Sequence, residues 1–224
     1  MRWLLLPAIL TIAFPAAAES LILKDKPCYD VSGYMEFLSD PANNLTVQQV
    51  SERNDWAGTK HGKVPNLGLT QATIWLRFTL VNQADITERF YVSLEYPVLN
   101  FVSFYTRDVN GHFREEHTGS TSPASAGVVP DRSFLFPLTV EPGKTTVVYL
   151  RVKSSSSLTL PVRILSDHAL LLKAVRDYTI YGVLLGLLAV VILYFITVGS
   201  FLYKGTPIWL VLYSFFFGLH VAIR

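Results

Sequence analysis

The stretch Thr73–Asn82, with the sequence TIWLRFTLVN, decides the fold because two kinds of side chain alternate along it. In an extended strand, successive side chains point to opposite faces. One face is entirely apolar and consists of Ile74, Leu76, Phe78 and Leu80. The other face carries Trp75, Arg77 and Thr79. The pattern predicts a strand with one side in a hydrophobic core and the other side presenting a large aromatic ring and a cation.

Similar short segments follow along the chain, at Arg89–Tyr96, Asn100–Arg107, Arg132–Leu138, Thr145–Lys153 and Leu158–Leu165. Turn signals between them include Asn110-Gly111 and Pro142-Gly143. No convincing helical period occurs from Leu45 until the segment 167–177. We therefore predict an all-β sandwich or jelly-roll domain over residues 45–165, preceded by an N-terminal lead-in at 19–44.

The N-terminus predicts export. Residues 1–18 contain Arg2, an apolar run from Trp3 to Phe14, and the small-residue site Ala16-Ala17-Ala18. This order is typical of a secretory signal peptide cleaved before Glu19, and the apolar run is short for the alternative, an uncleaved anchor helix. We expect the β domain to lie in the bacterial periplasm.

The C-terminal part predicts membrane helices. Residues 178–203 carry no charged side chain and are long enough to cross a bilayer as one helix. We expect a linker helix at 166–177 before this segment, and a second transmembrane helix at 207–223 after it. Gly182 and Gly186 form a small-residue pair that would allow close helix packing, including packing in a homodimer. The predicted location is the inner membrane, within the lipid bilayer.

The charges do not mark a nucleic-acid-binding surface. All 17 acidic residues lie within 19–177, where 16 Lys and Arg accompany them, so this stretch has a net charge of −1. A nucleic-acid binder would carry a basic stripe. Cys28 is the only cysteine, which excludes an intramolecular disulfide. The histidines have no metal-ligand spacing, and we predict neither a metal nor a cofactor.

Several modest motifs resemble one family in their order along the chain. They are Asn66-Leu67-Gly68, Ala72–Phe78, Glu95-Tyr96-Pro97, Phe104-Tyr105, Asn110-Gly111, Phe134–Leu138, Tyr149–Val152 and Tyr181-Gly182. Together they resemble the extracellular domain and first membrane helix of bacterial seven-transmembrane receptors with diverse intracellular signalling modules. The resemblance implies a jelly-roll sensor related to carbohydrate-binding modules, followed by seven helices and a signalling domain. Compared with that plan we expect the chain to be truncated, because it stops at Arg224 after the second expected helix.

A carbohydrate site needs an aromatic ring for the apolar face of a sugar, and charged side chains for its hydroxyl groups. The β domain supplies these types at Trp56, Trp75, Arg77, Glu95, Tyr105, Arg132 and Arg151. We hypothesise that a subset of them lines a concave sugar-binding face. For Trp75 the alternative is packing at the edge of the core with Arg77 stacked beside it. For Arg151 the alternative is an ion pair with Glu95.

We expect a ligand-sensing receptor component rather than an enzyme. A small molecule or glycan would bind the sandwich and change the packing of the membrane helices, and a signalling partner would receive the change. The alternative is a non-signalling envelope module that binds a glycan or a protein. A third and weaker hypothesis is a periplasmic hydrolase that uses Glu95 or Asp131, but the sequence contains no nucleophile elbow.

Overall fold

The structure is a computed structural model that describes residues 19–24, 26–59, 63–84, 87–96, 98–108, 110–121, 123–129, 131, 133–202, 212–213, 216–218 and 220. The chain divides into a β unit that ends at Asp167 and a helical unit that begins at His168. The predicted signal peptide at 1–18 lies outside the described residues. The elements are β1 (Leu21–Leu23), β2 (Cys28–Asp30), β3 (Glu36–Asp40), α1 (Val47–Ser51), β4 (Ala57–Gly58), β5 (Asn66–Gly68), β6 (Thr73–Asn82), β7 (Glu88–Leu94), β8 (Phe101–Arg107), β9 (Phe113–Thr118), β10 (Phe134–Val140), β11 (Thr145–Lys153), β12 (Leu158–Thr159), β13 (Val162–Ser166) and α2 (Asp167–Leu202).

Two main sheets form the β unit in the described residues. The seven-stranded sheet has the order β4-β3-β6-β11-β8-β9, and β1 pairs with β6 in parallel. The four-stranded sheet has the order β10-β7-β13-β2 and is antiparallel throughout. Strands β12 and β5 form a short separate ribbon. The predicted all-β fold class is confirmed.

The hydrophobic core lies between the two main sheets. The apolar face of β6, predicted from Thr73–Asn82, is buried in it together with Phe90, Val92 and Ile164 of the other sheet. The rings of Phe104 and Phe136 stack across the two sheets with centroids 5.0 Å apart. Alternation along the strands thus produces a sandwich, because each sheet can bury its apolar face only against the other.

The sandwich starts earlier than the sequence predicted. The segment assigned as a lead-in, 19–44, contains β1, β2 and β3. These strands have only three to five residues, too few for a clear alternating pattern. They are held by pairing: β1 and β3 with β6, and β2 with β13.

A short helix covers part of the seven-stranded sheet on the side away from the core. Thr46 caps α1, and Gln49 completes a capping box that satisfies free backbone groups at the helix start. Val47 and Val50 point inward and join a second apolar cluster with Trp56, Trp75 and other residues. This helix and its neighbours therefore bury part of the sheet face that points away from the core, the face on which the alternating pattern placed Trp75.

The predicted linker helix and first membrane helix are one continuous helix, α2. Its segment 167–194 contains an 18-residue window with a mean hydropathy of 1.9 and could span a membrane by length and composition. A side chain added at Gly182 or Gly186 would meet no atom within 4 Å, so their predicted packing role stays a prediction. The predicted second helix lies largely outside the described residues, but Gly218 lies against the end of the Leu188 side chain of α2, which would have to move if a Cβ were added there.

Candidate functional site

The candidate site is the side of the seven-stranded sheet that faces away from the sandwich core, here called the outer face. Strand register arranges its side chains in two full rows across the strands. The first row is Glu36, Arg77, Tyr149, Tyr105 and Glu115, and the second is Leu38, Trp75, Arg151, Ser103 and His117. Further along the same strands, Lys153 pairs with Phe101 and Thr73 with Asp40. Four of the seven predicted site residues fall in these rows, and Trp56 packs against them.

Trp56, Arg77 and Glu36 form one assembly on this face. The Arg77 guanidinium carbon lies 4.5 Å from the centroid of the Trp56 ring, a cation–π arrangement. Arg77 Nε donates a hydrogen bond of 2.8 Å to Glu36 Oε2. The Glu36 side chain is 9% exposed and that of Arg77 is 24% exposed. Because its guanidinium is hydrogen-bonded to the nearly buried Glu36 carboxylate, Arg77 has a structural role.

Trp75 is fully buried, so its ring offers no surface to a ligand. It stacks on Tyr105 with ring centroids 5.7 Å apart, and the Arg151 guanidinium carbon lies 5.7 Å from its centroid on the outer face. This burial agrees with the alternative in which Trp75 packs beside the core, but its cation is a different one: Arg77 covers Trp56 and Arg151 covers Trp75. Among the described atoms, the buried Trp75 indole N–H has no hydrogen-bond acceptor.

Tyr105, Ser103 and Glu115 form a polar group beside these rings. The hydroxyl of Tyr105 donates to Glu115 Oε1 at 3.0 Å, and the Ser103 hydroxyl donates to the same oxygen at 2.9 Å. Burial raises the pKa of the Tyr105 hydroxyl, and the negative charge of Glu115 acts in the same direction. Tyr105 therefore stays protonated as a donor at neutral pH and fixes the carboxylate.

Arg151 and Glu115 keep unused hydrogen-bonding groups on the outer face. Within the described residues, Arg151 has neither an ion pair nor a hydrogen bond, and Glu115 uses only Oε1. Arg151 is half-buried and Glu115 is exposed. A guanidinium with free donors and a carboxylate with a free acceptor can together bind the hydroxyl groups of a polar ligand.

A groove of about 1170 Å³ opens where the outer face meets the loops at one end of the sandwich. Its walls are Ser39, Pro41, Asn43, Leu69, Thr70, Gln71, Ala72, Asn100, Phe101, Thr121, Lys153, Ser154 and Ser155. Most of these side chains are hydroxyls or amides. Because Lys153 and Arg151 are two residues apart on β11, the groove and the outer face share one continuous surface.

One predicted site residue that the structure describes, Glu95, does not join the outer face. Glu95 follows β7 in the four-stranded sheet, and its Oε2 lies 3.2 Å from Arg163 Nη1. The alternative in which Arg151 pairs with Glu95 is therefore wrong. Arg132 lies outside the described residues. No group of three or more His, Cys, Asp or Glu in the described part of the chain could hold a metal ion.

Four residues that the structure places at the site were not predicted from the sequence: Glu36, Glu115, Phe101 and Lys153. Phe101 and Lys153 lie within predicted strands, and their spacing from Tyr105 and Arg151 puts them on the same face. That period-two spacing was a usable signal. Glu36 and Glu115 lie on strands that the sequence did not predict.

Comparison with known proteins gives a family for this architecture. The family model described as 7TMR-DISM extracellular 2 matches residues 32–166, more than half of the chain. The match starts before β3 and ends with the last residue of β13, so it contains the outer face and the groove. No curated protein matches the chain. With its β sandwich joined directly to an apolar helix, the chain belongs to the 7TMR-DISM extracellular 2 family, a sensor domain of seven-transmembrane receptors.

Proposed function

We propose that this protein binds a carbohydrate in the bacterial periplasm and passes the binding event to helices in the inner membrane. Family membership makes it the sensor domain of a membrane receptor, with the β domain outside the membrane. The carbohydrate, the compartment and the coupling to the membrane helices are the proposed parts.

The observation that carries the proposal is that Arg151 and Glu115 each keep hydrogen-bonding groups without a partner among the described residues. Both groups are held in place, Arg151 over the Trp75 ring and Glu115 by two hydroxyl donors. Both still offer hydrogen-bonding groups with no partner among the described residues. A rigid donor and acceptor loses little conformational freedom on binding, which favours recognition of hydroxyl groups in fixed positions on a sugar ring.

The coupling follows from chain connectivity. Strand β13 ends at Ser166 and α2 begins at Asp167, with no residue between them. The Tyr91 hydroxyl of β7 is hydrogen-bonded to the side chains of Asp167 and Arg89. A ligand-dependent shift in the four-stranded sheet would therefore reach the first residue of α2 through both the backbone and this side-chain contact, provided that the ligand binds two arrangements with different affinity.

We propose binding without catalysis. Three carboxylates of the β unit are engaged by arginines: Glu36 by Arg77, Glu95 by Arg163, and Glu116 by Arg114. Glu115 accepts two hydrogen bonds that fix its position. A general acid would instead need a proton to donate near neutral pH.

A thermal-shift screen tests the binding half on the full chain in lipid nanodiscs. The panel contains periplasmic sugars and glycan fragments. A ligand that binds only the folded state raises the melting temperature, with about 2.7 kcal/mol of stabilisation at a hundredfold excess over Kd. The variant Arg151→Ala is compared with Arg163→Ala, which removes a cation from the other sheet.

The expected result is a saturable shift with at least one saccharide and about tenfold weaker binding in Arg151→Ala only, since a hydrogen bond to a charged group contributes about 1.5–3 kcal/mol. A panel with no shift contradicts carbohydrate binding. A shift in melting temperature without any ligand-dependent change in α2 favours the alternative, a non-signalling envelope module.

A further inference from the structure

We infer that the groove at the end of the outer face selects an acidic saccharide, one whose sugar ring carries a carboxylate. The inference rests on the proposed function, because it gives the site and ligand class for the same carbohydrate. Its four supports are the charge of the groove, its neutral hydrogen-bonding groups, its aromatic wall and the rigidity of its loops.

The charge of the groove is positive. Lys153 is the one charged residue among those that line it, and it has no ion-pair partner in the described part of the chain. Arg151 lies two positions earlier on the same strand face, roughly 7 Å away along the strand. Four other cations of the β unit, Arg53, Arg77, Arg114 and Arg163, are paired with carboxylates. Two neighbouring unpaired cations favour an anionic group of the ligand.

Neutral side chains supply donors for sugar hydroxyls. Asn100 Oδ1 accepts bonds from the Ser155 backbone N–H at 2.7 Å and from the Ser155 hydroxyl at 3.0 Å. These bonds fix the amide, while its Nδ2 group has no acceptor in the described residues. The exposed Gln71 amide also has no partner there. Both amides can therefore bind a ligand without giving up an internal bond.

Phe101 supplies an accessible aromatic ring. It lines the groove, is half-buried, and stacks on His117 with ring centroids 6.5 Å apart. The rings of Trp56 and Trp75 are buried, so they cannot contact the apolar face of a sugar. Phe101 can make that contact beside Lys153, its register partner across the sheet.

Two loops hold the groove walls in place. Asn43 has a left-handed backbone with φ of 57°, and its Oδ1 accepts from the Thr73 backbone N–H at 2.8 Å. At Gly119 an added Cβ would lie 2.1 Å from the Asn100 carbonyl oxygen. The backbone that carries Asn100 and Phe101 is therefore packed against Gly119, and the walls are formed before a ligand arrives.

The test compares two forms of one saccharide skeleton. Isothermal titration of the full chain in nanodiscs uses the trimer of α-1,4-linked galacturonic acid and its fully methyl-esterified form, which lacks the negative charges. The variants are Lys153→Gln and the matched control Lys144→Gln. Lys144 is exposed in the turn before β11, at the opposite end of the strand from Lys153.

The expected result is that wild type and Lys144→Gln bind the acid at least about tenfold more tightly than the ester, since a charge-assisted hydrogen bond contributes about 1.5–3 kcal/mol. Lys153→Gln should lose most of this preference and keep its weak affinity for the ester. Because Lys153 is exposed, the variant is expected to fold.

Equal affinity for acid and ester, an unchanged preference in Lys153→Gln, or no binding of either trimer overturns the inference. The thermal-shift panel then distinguishes a failure of this inference from a failure of the proposed function. If the titration has failed but a neutral saccharide still shifts the melting temperature, only the acidic groove is overturned, whereas a panel without any shift overturns the proposed function as well.

Discussion

The Arg77 guanidinium lies between two partners: it covers the Trp56 ring at 4.5 Å and donates to the nearly buried Glu36 carboxylate at 2.8 Å. Removing the cation would take a positive charge away from the carboxylate of Glu36, which is nearly buried. Arg77→Ala should therefore lower the free energy of unfolding by about 2–4 kcal/mol, somewhat less than for a fully buried pair because Arg77 is partly exposed. Chemical denaturation of the full chain, followed by tryptophan fluorescence, measures this loss.

Arg53→Ala is the matched control for that prediction. Arg53 also pairs with a carboxylate, Asp55, but both side chains are about half exposed, at 43% and 55%. Exposed pairs contribute little to stability because water and salt screen them. Equal losses in the two variants would contradict a structural role for the Arg77–Glu36 pair.

The Glu116 carboxylate predicts a pH dependence of stability. The Ser125 hydroxyl donates to it, with further contributions from Arg114 and the Gly127 backbone N–H, and these contacts lower its pKa below the usual 4.5. A folded-state pKa below the unfolded value stabilises the fold above pH 4.5, and this stabilisation is lost as the pH falls through the folded-state pKa. Glu116→Gln should destabilise the protein at neutral pH and make its unfolding less sensitive to acid.

Unfolding measured across an acidic pH series tests this dependence, with Glu141→Gln as an exposed control. If wild type and Glu116→Gln lose stability in parallel as the pH falls, the contacts of Glu116 do not account for the acid sensitivity.

Gly119 predicts a steric limit beside the groove. Because an added Cβ would lie 2.1 Å from the Asn100 carbonyl oxygen, Gly119→Ala must displace the backbone next to Phe101. We expect a loss of about 1–3 kcal/mol in stability and weaker saccharide binding. Gly58→Ala is the control, since its added Cβ would meet no atom within 4 Å. Unchanged melting temperature and affinity in Gly119→Ala would show that the backbone moves without cost.

The junction between β13 and α2 predicts a separable coupling defect. Insertion of two glycines between Ser166 and Asp167 should leave ligand affinity intact and abolish the ligand response of α2. A spin label at Val175→Cys in a Cys28→Ser background reports that response, because Cys28 is the only native cysteine. A response that survives the insertion would show that the direct strand-to-helix connection does not carry the signal.

The alternation of apolar and polar residues along the longer strands predicted which of their faces lies in the core. The alternation in β6 correctly assigned Ile74, Leu76, Phe78 and Leu80 to the core. The same pattern placed Trp75 on the other face but could not show its burial, which depends on α1 and Trp56 from a distant segment. The short strands β1, β2 and β3 were missed because pairing with distant strands, rather than their own pattern, defines them.

The candidate site was predicted in residue type but not in accessibility. Five of the proposed ligand-binding residues, Trp56, Trp75, Arg77, Tyr105 and Arg151, meet on or under one sheet face. Long-range contacts then assign them different roles: the rings become buried supports, and Arg77 is held by Glu36. Glu95 joins Arg163 on the other sheet, a pairing that only the tertiary fold decides.

Hydrogen–deuterium exchange of the full chain in nanodiscs tests the central claim most directly. The sample is compared with and without the saccharide that gives the largest thermal shift. We predict ligand-dependent protection in the segments 69–72, 99–103 and 151–156, which surround Arg151 and the groove, together with altered exchange at the start of α2. Protection confined to the four-stranded sheet, with no change around Arg151, would contradict the account.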